Sequence, residues 1–86
     1  MPNDLTTEDI KKYLAVKIDD TITVGECGAS AFVQWMLKLV NGMNAFSPTI
    51  AEVNTLATSA VLGRTWSDEQ KIEWMRKLEK IGIKFF

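Results

Sequence analysis

Histidine is absent from this chain of 86 residues. With it go the commonest general base near neutral pH and the ligand of most zinc sites. The single cysteine, Cys27, excludes an internal disulfide and fits a reducing compartment. No sign of charge dominates: ten basic and eleven acidic residues leave a net charge of −1. That balance gives no global pull toward nucleic acid or an anionic membrane, and little self-repulsion to oppose assembly. Long apolar runs are missing too. The longest, Ala29 to Val40, is too short to cross a bilayer and contains Gln34 and Lys38, so a membrane span is excluded. The first residues carry neither the basic region nor the apolar stretch of a signal peptide, and a reducing cytoplasm is the expected location. There is no internal repeat, low-complexity stretch or linker.

What is present is a foldable composition, 47% hydrophobic with three tryptophans. One helical domain over residues 1–86 is expected. A chain this short buries only roughly 60–65% of its unfolded surface, so good packing or subunit association must supply stability.

The pattern predicts an all-α domain of four helices, with a buried central second helix and an apolar C-terminal tail. The first helix runs from Leu5 to about Val16, capped by Thr6 with Asp9 three residues on, and with Leu5 placed to staple onto Ile10. Ile10, Tyr13 and Leu14 form its apolar stripe. Lys17 to Ile22, punctuated by Asp19-Asp20, reads as a helix–helix loop in preference to a small hairpin, with Ile18 and Ile22 pointing inward. Thr23-Val24-Gly25-Glu26 reads as a second capping box, starting a helix that runs to Asn41-Gly42. Apolar residues cover most of that helix, leaving a narrow strip of Ser30, Gln34, Lys38 and Asn41. It must be buried or covered by partners. Ser47-Pro48 opens a third helix with Ile50, Val53, Leu56, Ala57, Ala60 and Val61 on one face and a stop at Gly63. Ser67 and Gln70 box the start of the fourth, whose charges suit its dipole. Its expected core stripe is Ile72, Met75, Leu78 and Ile81, with Trp74 at the edge, a Glu73–Lys77 pair outside, and Gly82 at the end.

Chemical motifs are fragmentary. Gly28-Ala29-Ser30-Ala31-Phe32 begins like a nucleophile elbow but lacks the last glycine. Gly25 and Gly28 have neither phosphate-loop spacing. Cys27 reads as a small buried hydrophobe. Asp19 to Glu26 resembles the second half of a calcium loop, but the register puts Ala15 and Lys17 at the first two ligand positions and Asp20 at the turn glycine, so a capped helix start is the better reading. The expectation is no catalysis, no cofactor, no metal and no small-molecule substrate.

Residues 1–42 carry net −2 and residues 43–86 net +1. The third and fourth helices could imitate a helix-turn-helix, but the would-be recognition helix opens with Asp68-Glu69. Lys71, Arg76, Lys77, Lys80 and Lys84 read by default as a solvated face, not a DNA site. The remaining signal is aromatic. Trp66, Trp74, Ile83, Phe85 and Phe86 are the candidate partner interface. The tail either folds back onto the core or inserts into a neighbouring subunit.

Leu5-Thr6-Thr7-Glu8-Asp9-Ile10-Lys11-Lys12-Tyr13-Leu14, then Ile18-Asp19-Asp20-Thr21, then Ala29-Ser30-Ala31-Phe32-Val33, resemble the opening of head–tail connector (head-completion) proteins of tailed bacteriophages. The resemblance covers about the first half. Asn41-Gly42-Met43-Asn44 stands where an aromatic-glycine-arginine turn is expected. The resemblance implies a helical, non-catalytic subunit of a ring between capsid portal and tail, found in the virion or host cytoplasm. Two alternatives stand beside it: a small regulatory module inhibiting a host protein, and a DNA-binding regulator.

Overall fold

The computed structural model describes residues 5–43, 47–58 and 65–86, with only the backbone of Thr58. Among them the chain is all-α, with four helices: α1 (Thr7–Ala15), α2 (Ala29–Asn41), α3 (Pro48–Thr58) and α4 (Asp68–Lys80). The predicted caps of α1 and α4 form. Thr6 and Ser67 each accept the backbone N–H three residues on, from Asp9 and Gln70, whose side chains accept the cap N–H in return. Ser47 Oγ accepts from the Ile50 N–H at the start of α3. The expected stop of α3 at Gly63, with Ala60 and Val61, lies outside the described residues.

The second helix starts later than its capping box predicts, at Ala29 and not near Thr23. Only half of the box forms: Glu26 Oε1 accepts from the Thr23 N–H, but the Thr23 hydroxyl donates to Glu26 Oε1 and does not accept the Glu26 N–H. It closes a single turn, in which the Glu26 and Cys27 N–H groups donate to Thr23 O. Beyond it the backbone groups are engaged from other parts of the chain. The carbonyls of Val24 and Cys27, which an uninterrupted helix would give to Gly28 and Ala31, accept instead from the Lys71 ammonium. The Val24 and Gly25 N–H groups turn back to Val16 O and Leu14 O. Gly25 sits so close to α1 that a Cβ there would lie 3.3 Å from Leu14 Cβ.

The segment between α1 and this turn is also not the plain loop expected. Lys17 and Thr23 form an isolated antiparallel bridge, with Ile18 N–H donating to Ile22 O at 3.0 Å. Asp19 Oδ1 holds the bend by accepting from the Thr21 and Ile22 N–H groups at 2.7 and 3.1 Å. These bonds, with one from the Thr21 hydroxyl, lower its pKa. Asp19 and Glu26 are thus committed to local backbone, not to a shared cation.

Helices pack as two pairs, α2 with α3 and α1 with α4. Between them Phe32, Met36, Val40, Val53, Met75 and Leu78 are fully buried, joined by Val24 from the turn. Each such side chain contributes about 1.5–3 kcal/mol of transfer free energy. On α2, Gln34, Lys38 and Asn41 are exposed, as the polar strip predicts, and Ala31 is exposed with them. Trp35, Leu37 and Leu39 are half-buried. No helix among the described residues is long and apolar enough to cross a membrane.

At the end of α4, Gly82 takes φ +108°. Its N–H donates to Glu79 O while Ile83 N–H reaches back to Leu78 O. This is the Schellman arrangement, and it turns the tail back over the core.

Candidate interaction face

The five aromatic and aliphatic candidates do not form one patch. Trp66 packs edge-on against Phe32, centroids 5.7 Å apart. Phe32 also meets Trp35, and Trp35 meets Phe85 at 5.5 Å, so a chain of four rings joins the α3–α4 connector to the tail. Ile83 and Phe85 are half-buried against the core. Trp74 is half-buried and carries the Lys77 ammonium 4.4 Å above its ring. Lys77 does not form the Glu73 pair expected from i,i+4 spacing; it crosses to Glu52 on α3 at 3.4 Å.

Phe86 is different. It is 66% exposed, the large hydrophobic residue left outside among those described. One edge of its ring rests on Tyr13, centroids 5.1 Å apart. Tyr13 in turn donates its hydroxyl hydrogen to Glu79 on α4. Phe86 therefore borders the seam between α1 and α4.

That seam opens into a groove of about 460 Å³. Its apolar floor is Leu5, Ile10 and Ile72. Leu5 and Ile10 are the predicted staple pair, both half-buried. Asp68, Glu69 and Glu73 make one end of the α4 lip acidic. Arg76, Lys77 and Lys80 make the other end basic. Sequence reasoning missed this groove because it arises where α1 meets α4 across most of the chain, and no local pattern announces that pairing.

Lys71 overturns another expectation. It belongs to no solvated basic face: it is buried, 4% exposed, with Nζ donating to Val24 O at 2.9 Å and Cys27 O at 2.7 Å. A signal for this was present. Residues 71, 75 and 78 share the face of α4 that holds Met75 and Leu78, so helical spacing already puts Lys71 on the core stripe. Cys27 is buried as expected, and its thiol donates to Val24 O at 3.2 Å. Burial pushes the thiol pKa up, against the lowering effect of the nearby Lys71 charge. That is the setting of an inert thiol, not an activated nucleophile.

No protein family, curated protein or solved structure matches the chain. Among the described residues no group of three or more His, Cys, Asp or Glu side chains is placed to hold a metal ion.

Proposed function

We propose that this chain is a non-catalytic assembly protein that works by self-association, in the manner of the bacteriophage head–tail connector subunits that its first half resembles. The supporting observation is Phe86. The tail alternates as an extended strand does: Ile83 and Phe85 turn inward, Lys84 and Phe86 outward. The fold thus spends two apolar residues on its own core and presents the third to the surroundings. Burying an exposed phenylalanine against a partner is worth about 1.5–3 kcal/mol, and aromatic residues are frequent interface anchors.

A second reading is favoured by the groove. An apolar floor between oppositely charged lip ends also suits a segment of another protein, as in a small regulatory inhibitor. DNA binding loses ground, because Lys71 is withdrawn into the core and Lys77 is engaged by Glu52 and Trp74.

The test is light scattering after size exclusion, with wild-type and Phe86→Ser protein over the same concentration series. Wild-type mass should exceed the monomer and rise with concentration, and the variant should need roughly tenfold more protein to reach the same mass. Identical curves would remove Phe86 from the interface. Deleting Ile83–Phe86 is a poorer probe, since Ile83 and Phe85 pack against the core.

A further inference from the structure

Resting on the self-association proposed above, we infer that α4 pairs antiparallel with α4 of a second copy of this chain, each helix closing over the other's α1–α4 groove. The charge pattern of the groove lip carries the argument. Asp68, Glu69 and Glu73 occupy the first half of α4, and Arg76, Lys77 and Lys80 the second. Glu69 and Lys80 are equidistant from the point between Trp74 and Met75, and so are Glu73 and Arg76. A two-fold axis through that point sets Glu69 of one copy against Lys80 of the other, and Glu73 against Arg76, twice over. Antiparallel pairing also opposes the two helix dipoles. A parallel pairing would stack acid on acid and base on base, which is repulsive.

Dipole preference alone places acidic residues early and basic residues late on many helices. On a helix backed by its own domain that pattern has nothing to recognise. Here it borders an open groove with Leu5, Ile10 and Ile72 on the floor, so matching charges would bring apolar surface together as well. Such an isologous contact closes on itself, so its unit is a dimer.

The test uses two full-length variants with one-sign lips. Glu69→Lys with Glu73→Lys makes the lip basic; Arg76→Glu with Lys80→Glu makes it acidic. Glu69, Glu73 and Lys80 are exposed, so the fold should tolerate their change, which circular dichroism checks. Lys80→Glu alone serves if the Arg76 change unfolds the acidic variant. By sedimentation equilibrium, each variant alone should associate at least about tenfold more weakly than wild type, and an equimolar mixture should recover association as a heterodimer. Wild-type protein that self-associates while neither variant weakens it overturns the α4 pairing and leaves self-association standing. So does a mixture that fails to recover. Wild-type protein that stays monomeric overturns both.

Discussion

Lys71 shows how one side chain can set the course of the backbone around it. Its ammonium sits among apolar neighbours and is held by two carbonyls, those of Val24 and Cys27. Replacing it with methionine keeps the length and removes the donor. Cys27 O then loses this donor and Val24 O keeps only the weak thiol donor of Cys27, at about 1–3 kcal/mol for a buried group left unsatisfied. Lys71→Met should therefore lower unfolding stability by about 1–3 kcal/mol in urea titrations. A loss below about 0.5 kcal/mol would show that the ammonium does not hold the turn. Tyr13 makes a pH-dependent contribution. Burial first, then the hydrogen bond to Glu79 and that carboxylate's charge, push its phenol from 10.0 up to about 12. The fold therefore favours the neutral phenol. Its contribution is intact below about pH 10 and is lost as pH rises toward about 12, because the unfolded chain ionises first. Urea midpoints should fall over that interval, and the fall should be shallower in Tyr13→Phe. Equal slopes in the two proteins would place the alkaline loss elsewhere.

At the scale of the element, the ends of α4 were legible in the sequence and the start of α2 was not. Ser67 with Gln70 at one end and Gly82 at the other are local signals, and local hydrogen bonds satisfy them. Gly82 is where that can be measured. With φ at +108° an alanine is strained, although its Cβ would meet only Met43 Cε at 3.8 Å. Gly82→Ala should cost about 1–2 kcal/mol, lowering the melting temperature of a domain this small by about 5–10 °C. An unchanged melting temperature would mean that the backbone relaxes and the tail need not turn there. The α2 boundary was misread for the opposite reason. Thr23 and Glu26 make half of the box their spacing promises, and Lys71, far along the chain, engages the carbonyls that would extend the helix. The antiparallel bridge of Lys17 with Thr23 likewise depends on Val24 and Gly25 donating to the end of α1. Signals closed within a few residues could be read; those settled by a tertiary competitor could not. The candidate site divides in the same way. Phe86 was visible as an apolar tail residue, whereas the groove needed α1 and α4 to be brought together.

At the scale of the whole molecule, a small helical domain must dispose of its apolar surface. Phe32, Met36, Met75 and Leu78 are spent on the interior. Trp35 with Phe85, and Phe32 with Trp66, close the surface above them. Phe86 stays exposed, and the half-buried Leu5 and Ile10 floor a groove whose α4 lip is acidic at one end and basic at the other. Near-zero net charge leaves little long-range repulsion to keep copies apart. The measurement that tests this most directly is the native mass of the wild-type chain by sedimentation equilibrium over a wide concentration range at low salt. The mass should climb from the 9.7 kDa of one chain to at least twice that value. A mass fixed at 9.7 kDa at every concentration would contradict it.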